Sequence, residues 1–430
     1  MASLTLAGSI SPAELVERHL RSIPPELNAF VAVRADAIHD QPPRGPLYGV
    51  PLTVKDSFDV AGLPTQCGSR LRPATPARED ATAVARLRAA GAIILGKTNT
   101  PEMLASYETD NFITGRTNNP WDLERTPGGS SGGEAAAIAS GCSAGGLGSD
   151  GGGSIRVPAH FCGIAGLKPT PGRVPATGHF PSLGYPGGLI GVAGPMARTA
   201  ADLRLLFSVL AGYDPQDPFS APVPLRNGAG TPRIGIWEQF GNVPVDPEIR
   251  AAVRRAGILV DAEEFAPTGL DRAPNLWAFF FSKWPASTTR KLVEGREADA
   301  HWTLLESLGP ADPPTAEEVL LNFAARDRMR ASLLRQMEDV PVLLMPVCGI
   351  TAFRHRERRW SIDGKEIGLF QSMMPAVIAN VLGFPAVTVP MGLSAAGLPI
   401  GVQLMGRPFE DELLLDVAIR LENARTVHSL

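Results

Sequence analysis

Cysteine is scarce in this chain of 430 residues. Cys67, Cys142, Cys162 and Cys348 stand far apart, with no C-x-x-C pair. That spacing argues against a disulfide framework and a cysteine-built zinc site, and the expected metal content is none. It points to a reducing, cytoplasmic compartment. The opening run, MASLTLAGSISPAEL, lacks a basic start and a long apolar core, so no secretory signal is read there. Neither sign of charge is in surplus: 40 Lys and Arg face 44 Asp and Glu, a net of -4. Nucleic acid is therefore not expected as a partner. Unbroken apolar runs are missing too. No charged residue occurs from Ile367 to Gly406, which is long enough to cross a bilayer. Pro375, Asn380, Gly383, Pro385, Pro390 and Pro399 cut it into pieces too short to span. Val387, Thr388 and Val389 read instead as a short buried strand, of the parallel kind that is apolar on both faces.

What is present is globular. Apolar residues make up 44% and charged residues 20%, with 45 Gly and 40 Pro, and a chain this long needs no staple to hold a core. Ser11-Pro12-Ala13-Glu14 opens a helix. Val50 to Val54 reads as a strand ending at Lys55-Asp56, Ala81 to Ala90 as a helix, and Ile93 to Leu95 as a second strand. This alternation indicates an α/β fold with much of its sheet parallel. Glu134 to Ser140 reads as a helix, as do the runs after Asp246-Pro247 and after Thr315. Val340 to Pro346, Ala386 to Pro390 and Pro399 to Met405 read as strands before a terminal helix from Glu410. No internal repeat is found. One domain over 1–430 is expected, with a variable or capping region at about 215–340 that begins in a Pro-rich connection.

Three segments carry possible chemistry: Pro51 to Asp56, Thr126 to Glu134, and Ser149 to Arg156. Gly146 to Gly151 fits G-x-G-x-x-G, but the glycines and Pro158 that follow are wrong for the helix a dinucleotide site needs. Gly128 to Gly133 fits G-x-S-x-G, but a loop precedes it and none of the seven histidines sits in these motifs. A serine needs a base to become a nucleophile. A lysine can serve if burial among uncharged groups keeps it neutral. Lysine occurs only at 55, 97, 168, 283, 291 and 365. Lys55 ends a strand, where α/β sites form; the plainer reading is a surface lysine paired with Asp56. Gly151, Gly152 and Gly153 allow close backbone approach, and free amides there would bind a developing oxyanion. The plainer reading is a floppy loop.

In this order and spacing, the segments resemble the amidase signature family. The resemblance rests on Gly49 to Asp56, Gly96 to Glu102, Gly128 to Ala159, Gly163 to Thr170 and Gly194 to Arg198, and continues more weakly through Gly383 to Pro390. It implies a large mixed, mostly parallel twisted sheet of about eleven strands flanked by helices on both faces. It implies amide hydrolysis through a seryl acyl-enzyme, with no cofactor. Ser154 would be the acylated nucleophile, Ser130 the proton relay after a cis Gly129–Ser130 bond, and Lys55 the base. The amides from Gly151 to Ser154 would form the oxyanion hole, Ser131, Asp150 and Arg156 would support it, and Leu104 would line the pocket.

Departures qualify what the resemblance implies. Gly151 stands where the family often has a larger residue, which would loosen the loop, and the part after Arg34 is trimmed. Thr100-Pro101-Glu102 looks like the stand-alone amidases rather than the family's member in tRNA-dependent amidotransferases. The aromatic run Leu276 to Trp284 either lines an apolar acyl or aryl pocket, caps the site, or faces the core. The expected partner is a small amide, ester or carbamate, bound by a monomer or homodimer with no membrane span. Beside amide hydrolysis stand three alternatives: an esterase or carbamate hydrolase, the glutamine-hydrolysing subunit of a tRNA-dependent amidotransferase, and an inactive partner-binding homologue.

Overall fold

Thirteen strands form in the computed structural model, which describes residues 1–183, 187–226, 230–241 and 243–428. They are β1 (Phe30–Val33), β2 (Pro51–Lys55), β3 (Ile93–Thr98), β4 (Gly145–Asp150), β5 (Ala165–Lys168), β6 (Val192–Ala197), β7 (Ile234–Ile236), β8 (Glu263–Glu264), β9 (Val342–Pro346), β10 (Arg359–Ile362), β11 (Lys365–Gly368), β12 (Ala386–Leu393) and β13 (Pro399–Gly406). Eleven build one sheet in the order β1-β3-β2-β4-β6-β5-β12-β13-β9-β7-β8, while β10 and β11 form a separate hairpin. The α/β sheet is mixed. Parallel pairing holds β3, β2 and β4 on one flank and β9, β7 and β8 on the other. The centre, from β4 through β9, is antiparallel throughout.

The apolar segment around Val387 is a buried strand, but β12 pairs antiparallel with both neighbours. Its connection to β13 spans only Ser394 to Leu398, too short for the crossover that a parallel pair needs. No helix among the described residues is long and apolar enough to cross a membrane.

The two faces of the sheet bury different helices, because side chains alternate along each strand. Val342 and Leu344 of β9 belong to the core cluster that also takes in helices Thr82–Ala89, Ala200–Leu210, Pro247–Leu259 and Asp411–His428. Leu343 and Met345 face helices Ala273–Ala278 and Met374–Val381. Local chemistry starts these helices where the sequence places them. Ser11 Oγ accepts from the Glu14 amide and Thr315 Oγ1 from the Glu318 amide, each at 3.1 Å. Residues 227–229 of the Pro-rich connection lie outside the described residues. The following stretch contributes β7 and β8 to the main sheet, and its aromatic helix packs against Met374–Val381.

Candidate active site

Lys55 closes β2 between two parallel neighbours, and its side chain is fully buried. Its Nζ lies 2.7 Å from Ser130 Oγ, 3.0 Å from Ser149 Oγ and 3.3 Å from the Ser149 carbonyl. Burial pushes its pKa from the ordinary lysine range down to about 7, against the opposing pull of Cys67, Asp150 and Glu134. Asp56 does not pair with it; that carboxylate sits 2.7 Å from Lys97 Nζ. Glu134 accepts hydrogen bonds from the Thr53 and Thr98 hydroxyls, and burial raises its pKa to about 7. The site therefore favours an uncharged amine near neutral pH.

Ser130 follows a cis Gly129–Ser130 peptide. Ser131 then caps helix Gly132–Ala139, donates its amide to the Ser154 carbonyl at 3.1 Å, and donates its hydroxyl to the Ser149 carbonyl at 3.3 Å. The Ser130 and Ser154 hydroxyls share no hydrogen bond among the described residues; the Ser131 amide contact holds the two segments side by side. Ser154 is 9% exposed.

The loop from Gly151 to Ser154 is held, not floppy. Asp150 accepts from the amides of Gly153 at 2.7 Å and Ile155 at 3.1 Å. Arg156 grips the same carboxylate through Nε at 3.0 Å and Nη2 at 2.9 Å, and Asn380 adds a bond at 2.9 Å. Burial raises the Asp150 pKa, but the Arg156 charge and these hydrogen bonds win and hold it well below the usual carboxylate range. The Gly153 amide is thus committed to Asp150. This narrows the expected oxyanion donors to the amides of Gly151, Gly152 and Ser154. Gly152 has no room for a side chain: a Cβ there would stand 2.6 Å from the Trp277 ring. Gly153 has φ +105, a conformation that disfavours side chains. The ring of Phe281 lies 3.3 Å from where a Gly151 Cβ would be, so an aromatic neighbour closes over the expected loose point.

Arg156 and Asp150 are both fully buried and joined at 2.9 Å. Removing one partner of such a pair leaves a buried charge alone. Arg156→Met is expected to destabilise the fold by about 3–5 kcal/mol, read as a lower urea midpoint.

A pocket opens on Ser154 and Gly152, walled by Leu104, Tyr107, Trp277, Phe281 and Phe370, with Ala105 and Ser106. Trp277 and Phe281 stack at 4.7 Å. They sit four residues apart where helix Ala273–Ala278 passes into a π-helical turn, Phe279–Lys283. Leu104 has φ +62 and Met103 φ +51, a rare conformation for side-chain-bearing residues that clusters at functional sites. Glu102 fixes this turn by accepting from Ser69 Oγ and the His301 amide, each at 2.5 Å.

The structure brings Lys55, Ser130, Ser131, Asp150 to Ser154 and Arg156 together, with Leu104 on the pocket wall. Sequence reading does not find Tyr107, Asn380 or the loop contact of Trp277, because each reaches the loop across the fold. Gly91 to Thr98 also spells the phosphate-loop pattern G-x-x-x-x-G-K-[ST]. Here Ile93–Thr98 is strand, and Lys97 is tied to Asp56, Pro64 and Thr65, so no phosphate cradle forms.

A family model described as Amidase matches residues 25–415. A glutamyl-tRNA(Gln) amidotransferase subunit of Synechococcus sp. (strain CC9605) is 33% identical, over 98% of this chain and 94% of that protein. The structure of 6-aminohexanoate cyclic dimer hydrolase complexed with substrate matches with a TM-score of 0.87 at 31% identity, over 98% of this chain and 95% of that one. A bacterial aryl acylamidase belonging to the amidase signature enzymes matches with a TM-score of 0.86 at 28% identity, over 98% and 95%.

Proposed function

This chain belongs to the amidase family, the amidase signature enzymes, and is a hydrolase of C–N amide bonds; from that premise we propose that it acylates Ser154 and prefers uncharged amides bearing an apolar or aryl group. The pocket wall carries this reading. Leu104, Tyr107, Trp277, Phe281 and Phe370 surround the space at Ser154, and none of the lining side chains is charged. Such a wall rewards buried apolar area and leaves a carboxylate or ammonium desolvated without a partner.

The reaction proposed is a proton relay from Ser154 through Ser130 to Lys55 with acyl transfer to Ser154. Neutral Lys55 takes the Ser130 proton as Ser130 takes that of Ser154, and Ser154 Oγ bonds to the substrate carbonyl carbon. The carbonyl electron pair moves onto oxygen, facing the uncommitted loop amides. Collapse breaks the C–N bond, and the proton returns from Lys55 through Ser130 to the leaving nitrogen. Water then attacks the ester along the same path and frees Ser154. The 2.7 Å contact of Lys55 with Ser130 supports the first transfer.

Similarity to a glutamyl-tRNA(Gln) amidotransferase component favours a second reading, a glutamine-hydrolysing subunit working in an assembly. A panel of acetanilide, acetamide and L-glutamine separates the two. The expected kcat/KM for the anilide exceeds that for acetamide by about 10- to 100-fold, with no turnover of glutamine. Acetamide as the better substrate contradicts the apolar reading. Glutamine turnover supports the second.

A further inference from the structure

The amides of Gly151, Gly152 and Ser154 donate to nothing among the described residues, so their directions decide whether an oxyanion can be held. In a trans peptide the N–H points away from the carbonyl of the same unit. Whatever grips that carbonyl therefore aims the amide. Asp150 O accepts from Asn380 Nδ2 at 3.1 Å, which aims the Gly151 amide. Gly153 O accepts from the Val157 amide at 2.7 Å, which aims that of Ser154. Gly151 O accepts from Trp277 Nε1 at 2.8 Å, which aims that of Gly152. Asn380 and Val157 are buried framework. Trp277 alone of the three also walls the substrate pocket.

We propose that Trp277 is a positioning residue: its indole N–H fixes the Gly151–Gly152 peptide so that the Gly152 amide meets the oxyanion. A substrate group packed on the Trp277–Phe281 stack then bears on the same side chain that sets the oxyanion donor. The inference rests on the proposed reaction at Ser154. Tyr107 supplies an internal contrast. Its hydroxyl donates to Gly152 O at 2.7 Å, but the amide of that peptide, from Gly153, is already given to Asp150. Tyr107 anchors the same loop without aiming a free donor.

The test compares Trp277→Phe with Tyr107→Phe on an anilide that the wild type hydrolyses. Trp277→Phe is expected to lower kcat by about 10- to 100-fold, the scale of a compromised oxyanion donor, with a smaller rise in KM from the trimmed wall. Binding of a trifluoromethyl ketone, which forms an oxyanion adduct with the nucleophile, should weaken by the same factor. Tyr107→Phe takes a hydroxyl from the pocket wall and the same loop and should lower kcat by a clearly smaller factor than Trp277→Phe, since its peptide carries no free donor. If Trp277→Phe does not fold, 3-benzothienylalanine at 277 keeps the bicyclic shape without the N–H and should give the same losses. An unchanged kcat, a loss confined to KM, or equal losses in the two variants overturns the inference and leaves the reaction at Ser154 standing. A folded wild type that hydrolyses no amide overturns the reading beneath it.

Discussion

Ser154→Ala is expected to lower kcat for amide hydrolysis by about 10⁴- to 10⁶-fold, the scale on which serine hydrolases lose activity without their nucleophile. The expectation is specific because little else changes. Ser154 is 9% exposed, and its carbonyl and amide belong to the backbone, which alanine keeps. The Ser131 contact, the Asp150 cradle and the pocket wall remain. KM should therefore move little while kcat collapses. Steady-state kinetics beside a thermal midpoint check this. A variant retaining a tenth of wild-type kcat contradicts the assignment.

Lys55→Met is expected to cost activity on a similar scale and, unlike most losses of function, to raise stability near pH 7. The lysine sits at about 7 when folded against an ordinary 10.5. That gap is worth about 5 kcal/mol of destabilisation. The sign follows from proton linkage. The unfolded lysine holds its proton more tightly, so the penalty is fully present below about pH 7 and fades as pH rises towards 10.5. Methionine removes the penalty but leaves the Ser130 and Ser149 hydroxyls without their amine partner, a cost of about 1–3 kcal/mol. The thermal midpoint should rise at pH 7, and the advantage should shrink by pH 10. In the wild type, kcat/KM should fall about tenfold per unit below pH 7, as the base is protonated. Glu134 also stands at about 7, so that limb belongs to the pair rather than to one group. A profile flat down to pH 5, or a Lys55→Met variant less stable at pH 7, contradicts a neutral buried base.

Much of this was legible in the residues because it is local. Lys55 ends a strand, and strand ends in α/β sheets face sites. Gly151 to Gly153 permit a backbone turned towards a ligand. Ser11 and Thr315 mark helix starts through hydrogen bonds three residues long. The assignment of Ser130 and the cis bond before it came from resemblance, since no local rule gives either. What stayed hidden depends on sequence separation. Trp277 meets Gly151, and Asn380 meets Asp150, across more than a hundred residues of chain. The aromatic run at 276–284 admitted three readings, and only the packing of its helix against the loop selects among them. Phe279 and Phe280 belong to the core alone, while Trp277 and Phe281 join the same cluster and also wall the pocket. The Gly153 amide looked equivalent to its neighbours, because nothing in a run of glycines tells which one Asp150 claims. The direction of β12 was hidden for the same reason: apolarity reports burial on both faces and is silent about the neighbours' sense.

The most direct measurement is the intact mass of the protein after treatment with a serine-directed fluorophosphonate, followed by mapping of the labelled peptide. One adduct is expected on the wild type, located at Ser154, none on Ser154→Ala, and strongly slowed labelling of Lys55→Met. An adduct of equal size on Ser154→Ala, or no adduct on folded wild type that hydrolyses an anilide, would contradict a nucleophile at Ser154 activated through Lys55.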